Sequence, residues 1–251
     1  MATVSDILNI MNEIAPPALA DDWDNPGLLV GRADGEVSSV LLCVDATAEV
    51  VDEARQLSAQ LIISHHPLMF RAIKHVRDDE PEGHVICELI RSGISLIAAH
   101  TNLDAAAGGV NDALAHALGL KNVEAPEPFL RAGDICGTLL EISHMVRARL
   151  DTRALTYGPD DMLIDRAALC SGAGGSEVMA AYQSGAQLFI TGEMKHHLAI
   201  QAEFIGLNVI EAGHYETERI VLPRLIERLQ REANDVQYRL TLSESPCLRG
   251  I

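Results

Sequence analysis

The 251-residue chain is 48% hydrophobic and carries a formal charge of −17, with a pI near 4.9; it holds enough apolar material to bury the core of one large domain or two modest ones. So acidic a chain repels phosphate backbones and anionic lipid, whose binding is driven by cationic neutralisation, and this disfavours a nucleic-acid or membrane-surface role. Five cysteines, Cys43, Cys87, Cys136, Cys170 and Cys247, form an odd set without a C-x-x-C pair, so neither a disulfide framework nor a thiolate zinc knuckle is expected, and buried thiols in a cytoplasmic protein are the plain reading.

The amino terminus, MATVSDILNIMNEIAPP, spaces its apolar residues at helical intervals around polar ones and lacks a basic start. That pattern predicts an amphipathic helix in place of a signal peptide core, and no later run approaches the length needed to span a bilayer. DDWDNPG reads first as a turn built from Asp, Asn, Pro and Gly, and second as a loop bordering a cleft. From SSVLLCVDAT onward strand and helix signals alternate: EVVDEARQLSA, QLIISHH, GHVICELIRSG, ISLIAAH and GGVNDALAHALGL. Such alternation predicts an α/β fold with a largely parallel sheet covered by helices. KNVEAPEPFLRAGD, with two prolines and no periodicity, is the best candidate boundary. A second α/β unit follows, through ICGTLLEIS, ALTYG, RAALCSGAGGS, EVMAAYQSG, AQLFITGE, KHHLAIQAEFIG and LNVIEAGH. A long amphipathic helix is expected from about Glu216, kinked or subdivided at Pro223, and QYRLTLSES reads as a last strand.

Within ISHHPLMF, the short β-branched run Leu61, Ile62 and Ile63 predicts a buried strand ending near Ser64, with Pro67 opposing its continuation. His65 and His66 then sit at a strand's carboxyl end, the edge where ligands bind in parallel sheets. Neighbouring strand residues point to opposite faces. Both rings therefore serve one place only if the chain turns there, or if two nearby objects, such as two metal ions, each take one ring.

Three further stretches end in the same position. ISLIAAHTNLD ends in His100 and Asp104, LFITGEMKHH in Glu193 and His197, and LNVIEAGHYETE in His214 and Glu218; each pair is four residues apart, which places both side chains on one face if the segment coils. His75, His84, His116 and His144 stand alone among charged or helical surroundings and read as surface or hydrogen-bonded residues. Imidazole nitrogen with carboxylate oxygen, without clustered thiolate, suits zinc, iron, manganese or nickel better than calcium or magnesium. Glu218 is the natural carboxylate to bridge two ions. For SGAGGSE two readings stand equally open: an anion cradle of free backbone N–H groups, or a tight turn that lets strand and helix pack closely.

DDWDNPGLLVG, ISHHPLMF, AAHTNLDAAAGGVNDALA, CSGAGGS, FITGEMKHH and EAGHYETE occur in the order seen in the NIF-three-like dinuclear-metal family, also called the GTP cyclohydrolase 1 type 2 family, which this chain resembles over nearly its whole length. It departs from the commonest pattern of that family at Ala107 and Ala173. The resemblance implies two interlinked α/β domains, residues 1–125 plus about 215–251 and residues 126–214, with a dinuclear metal site in the cleft between them. It implies two divalent ions per chain, bound by His65, His66, Asp104, His214 and Glu218, and a ring-shaped homohexamer built as a trimer of dimers. It also implies a metal-dependent hydrolase acting on a small molecule, with ring opening of GTP as the family's reaction. His100 and His197 are, by position, candidates for orienting ligands or transferring protons. The alternative is a non-enzymatic, metal-binding hexameric regulator or interaction scaffold, which a closed metal coordination shell would favour.

Overall fold

The computed structural model describes residues 2–244, so Cys247 and the end of the last expected segment lie outside the described residues. In chain order the elements are β1 (Ala2–Thr3), α1 (Val4–Ile14), β2 (Gly27–Val30), β3 (Glu36–Val37), β4 (Ser39–Cys43), α2 (Ala48–Gln56), β5 (Leu61–Ser64), α3 (Pro81–Ser92), β6 (Ser95–Ala98) and α4 (Thr101–Ala105). There follow α5 (Val110–Leu118), β7 (Lys121–Glu127), β8 (Leu130–Thr138), α6 (Leu139–Leu150), β9 (Leu155–Tyr157), β10 (Leu163–Cys170), α7 (Val178–Gln183), β11 (Leu188–Thr191), α8 (His196–Phe204), β12 (Asn208–Glu211) and α9 (His214–Glu218). α10 (Val221–Glu232) and β13 (Gln237–Leu240) close the described chain. Two compact units result: among the described residues, 2–107 with 222–244, and Gly108–Val221. Each is α/β, as the alternation predicts.

The first unit carries a five-stranded sheet in the order β13-β4-β5-β6-β2, with only β2 antiparallel to its neighbour. β4, β5 and β6 are buried along their whole length, the signature of parallel strands covered on both faces. Val50, Val51 and Ala54 of α2 and Val85, Ile86 and Leu89 of α3 cover one face, packing on Leu41, Cys43, Ile62 and Leu96. α1 opens with a reciprocal cap between Thr3 and Asp6. α3 starts with Pro81, whose missing N–H would be unsatisfied anyway, and ends on Gly93 in the left-handed region at φ 66°. The register pairs Cys43 with Ser64 and Ser64 with Ala98, so β4, β5 and β6 stop level with one another.

The second unit carries a six-stranded sheet, β7-β8-β10-β11-β12-β9, whose central strands β10, β11 and β12 are parallel. Two apolar layers flank it. One joins Leu114 and Leu118 of α5 and Ile142 and Val146 of α6 to Leu169, Ile190 and Ile210; the other joins Val178, Ala181 and Ala202 to Phe189 and Val209. Cys170, Thr191 and Glu211 are again level in register.

One expectation meets a different local structure. KNVEAPEPFLRAGD forms a hairpin of β7 and β8 within the second unit, which begins at Gly108. Its Pro126 is tolerated because β7 is an edge strand with no further neighbour to bond, and every residue of β7 is exposed, which removed the apolar periodicity a reader would look for. The long helix is subdivided beside Pro223, as expected: α9 ends at Glu218 and Pro223 falls in the first turn of α10, where no intrahelical N–H is required. Among the described residues no helix is long and apolar enough to cross a membrane.

Phe189 is the largest fully buried side chain among the described residues and belongs to the second of these layers. Phe189→Ala should lower unfolding stability by about 3–5 kcal/mol, whereas Leu163→Ala, at an exposed strand start, should stay within about 0.5 kcal/mol of the parent; urea denaturation midpoints of the two variants check the contrast.

Candidate metal centre

Because β4, β5 and β6 end level, the residues that follow them leave the sheet along one edge: Val44 and Asp45, His65 and His66, Ala99 and His100. After β5 the chain bends. His65 and His66 donate their backbone N–H groups to Cys43 and Val44 carbonyls at 3.1 and 2.9 Å, and the Ser64 hydroxyl donates to the His66 carbonyl at 2.7 Å. That bend brings the two rings to a centroid separation of 5.0 Å, although a straight strand would point them apart. His100 joins them at 5.2 Å from His65 and 5.4 Å from His66. These three imidazoles each offer a nitrogen within 4.8 Å of the others.

All three rings are held in the same way. His65 Nδ1 lies 2.9 Å from the Ala99 carbonyl, His66 Nδ1 lies 2.8 Å from Asp45 Oδ1, and His100 Nδ1 lies 2.9 Å from Asp24 Oδ1. Each partner is an acceptor, so each Nδ1 carries the hydrogen and each Nε2 keeps the lone pair a metal needs. α4 begins directly after His100, and the Asp104 N–H donates to the His100 carbonyl at 3.0 Å. The coil expected after that strand is therefore present, and it sets Asp104 Oδ1 3.7 Å from His65 Nε2.

Asp24 and Asp45 are the residues that reading the sequence missed. The Asp24 carboxylate is fully buried; it accepts from the His100 ring, from the backbone N–H of Thr101 at 3.0 Å and from the Thr101 hydroxyl. Burial opposes its ionisation, but the hydrogen bonds from His100 and Thr101 outweigh it and hold the carboxyl well below the usual carboxylate range. Asp45, two residues past β4, is braced in its own right: its N–H donates to Glu244, whose carboxylate also accepts from Val44 at 3.0 Å. Burial pushes the Glu244 carboxyl up.

In the second unit His214 opens α9 and Glu218 closes it, and the four-residue spacing brings His214 Nε2 to 3.1 Å from Glu218 Oε1. Glu218 is buried, and Glu193 lies 3.4 Å from His214 Nδ1. The glycine loop supplies the space for this pair. Gly172 has φ 57°, and a Cβ there would lie 2.2 Å from Glu218 Oε1 and 3.3 Å from His214 Nε2. Its N–H donates to the Thr217 hydroxyl at 3.0 Å, and the Ser171 N–H donates to Asn111 Oδ1 at 2.8 Å. Those two amides are engaged within the protein, and a Cβ at Gly174 would meet Cys170 at 2.6 Å, so the close-packed turn is the better of the two readings of SGAGGSE. His197 lies in the first turn of α8, which starts at His196, and its side chain is exposed, whereas Glu193 precedes the helix.

Cys43, Cys87, Cys136 and Cys170 are free thiols, and Cys43 Sγ lies 3.8 Å from the Ile63 carbonyl. The donors gathered at the two strand edges are imidazole nitrogens and carboxylate oxygens, a set that fits a divalent ion of the zinc, iron, manganese or nickel type.

The family model described as Duf34/NIF3 (NGG1p interacting factor 3) matches residues 2–247. A Clostridium perfringens protein named GTP cyclohydrolase 1 type 2 homolog is 34% identical over 247 residues, 94% of each chain. A Schizosaccharomyces pombe protein named Protein NIF3 homolog is 34% identical over 239 residues, covering 86% of this chain and 84% of its own. The crystal structure of a Staphylococcus aureus hypothetical protein superposes with a TM-score of 0.93 at 28% identity, over 99% of both chains. On a match that spans nearly its whole length, the chain belongs to the Duf34/NIF3 family.

Proposed function

We propose that this protein is a metal-dependent hydrolase in which His65, His66 and Asp104 of the first unit and His214 and Glu218 of the second hold two divalent ions. The observation that carries the reading is the shared tethering of His65, His66 and His100, each with Nδ1 on an oxygen acceptor, which sets the tautomer that a metal bound through Nε2 requires. Divalent ions in such a donor set polarise a carbon or phosphorus centre and make water a nucleophile near neutral pH. The protein's own residues orient and exclude. The Ala99 carbonyl and Asp45 fix the two adjacent rings, the Glu218 carboxylate would hold metal beside His214, and His100, held by Asp24, offers Nε2 for proton transfer at the substrate. The relatives' name, GTP cyclohydrolase 1 type 2 homolog, makes hydrolytic opening of the GTP ring the first reaction to assay. A cytoplasmic homohexamer, a trimer of dimers, completes the proposal, and the 90% exposure of Phe204 and 53% exposure of Ile200 on α8 favour burial against another copy.

His65→Ala should lose bound metal, and Glu218→Gln, nearly isosteric, should keep the fold while losing both metal and turnover. Elemental analysis, circular dichroism and a hydrolysis assay under zinc, manganese and iron in turn check both; full turnover by metal-depleted Glu218→Gln would sink the proposal. Asp45→Ala, which releases only the far side of the His66 ring, should weaken metal binding about 10–100-fold, measured by competition with a chelator. Gly172→Ala should act in the same direction because its methyl needs the position of the Glu218 carboxylate. Light scattering should return the mass of six chains; a monomer across the working concentration range would remove the assembly from the proposal.

A further inference from the structure

Two aromatic rings of the first unit stand beside the imidazole group without a part in the chemistry above. Trp23, the single tryptophan of the chain, is 57% exposed, and Phe70 is 47% exposed. Both meet His100 edge-on, at centroid distances of 5.7 and 5.6 Å, and His100 itself is only 9% exposed. Each ring therefore has one end on a buried imidazole of the site and the other in water. Their positions are fixed from several directions. The Trp23 indole N–H donates to Asp21 at 3.0 Å, the Asp21 N–H donates to the Thr101 hydroxyl at 3.0 Å, and the Asn25 side chain donates to the Met69 carbonyl at 2.8 Å. The last bond ties the loop of Trp23 to the segment that carries Phe70.

An adaptable site for aliphatic chains would be lined by flexible methionine or leucine. Flat faces reward a flat partner, because aromatic pairs gain beyond area burial when their rings meet in offset or edge-to-face geometry, and a wall whose loop and indole N–H are already tied down loses less freedom on binding. We propose that Trp23 and Phe70 form the recognition wall of this site and select a substrate with a planar unsaturated ring. The assignment of the reacting end rests on the hydrolase reading; the seat of the ring does not.

The test uses the full chain loaded with zinc. Calorimetric titration with benzoate and guanosine as flat probes is compared with cyclohexanecarboxylate and ribose as ring-saturated counterparts, while Trp23 emission, the only indole signal in the chain, reports where each binds. Benzoate and guanosine should bind saturably and change the emission, and their counterparts should bind at least about ten-fold more weakly. Phe70→Leu should raise Kd for the flat probes about three- to ten-fold, the range of one aromatic pair; Phe70→Tyr should leave it near the parent value, with metal content equal in all three proteins. Equal affinity for benzoate and cyclohexanecarboxylate, no binding of either flat probe, or an unchanged Kd in Phe70→Leu would overturn the wall. Ring binding without any hydrolytic turnover would instead defeat the hydrolase reading and leave the wall standing.

Discussion

Parallel pairing in register is the constraint from which both clusters of donor groups follow. With Cys43, Ser64 and Ala98 level across the first sheet, and Cys170, Thr191 and Glu211 level across the second, the residues just past each strand emerge side by side without any long-range search. A shift of one residue in a single strand would turn its side chains to the other face and carry His65 and His66 away from His100. The buried apolar runs of β4, β5 and β6 oppose such a slip because every position of those strands is already committed to packing. The donors are thus held by hydrophobic burial several residues away.

Much of this was legible along the chain, and the limit lies in separation. Short β-branched runs ending in histidine announce strand ends, and the i, i+4 spacing of His100 with Asp104 and His214 with Glu218 is local information that α4 and α9 express directly. Asp24 and Asp45 act across 76 and 21 residues of sequence, and nothing local marks an aspartate as the one that will hold a distant ring. DDWDNPG carries ordinary turn composition whether or not its fourth residue is buried. The β7–β8 hairpin was hidden because an edge strand exposed along its length has no apolar alternation to display. Glu193 and His197 have the same spacing but do not share a helix, because α8 begins three residues after Glu193.

The glycine loop illustrates how one sequence signal serves two geometries. Glycines at a strand-to-helix turn are needed for an anion cradle and also for close approach of side chains to backbone. Two amides and one missing Cβ favour the second. Ser171 and Gly172 give their N–H groups to Asn111 and Thr217, and the missing Cβ of Gly172 is occupied by the Glu218 carboxylate. The loop serves the acidic side chain by making room for it, and Thr217 fastens the same helix by donating to the Gly213 or His214 carbonyl.

The three tethered imidazoles are alike in geometry and unlike in partner. His65 gives its Nδ1 hydrogen to a neutral carbonyl, whereas His66 and His100 give theirs to carboxylates. A carboxylate withdraws more of the shared proton's charge than a carbonyl does, so the opposite nitrogen becomes the more electron-rich donor. His65 is also the most buried of the three, enclosed where a second negative charge behind it would itself need compensation. A carbonyl fixes that ring without adding charge. Asp45 keeps its charge affordable by standing partly in water, and Asp24 keeps its own by accepting from both the ring and Thr101. The choice of acceptor behind each ring follows the solvation available at that point of the sheet edge, and through it the protein grades three chemically identical side chains.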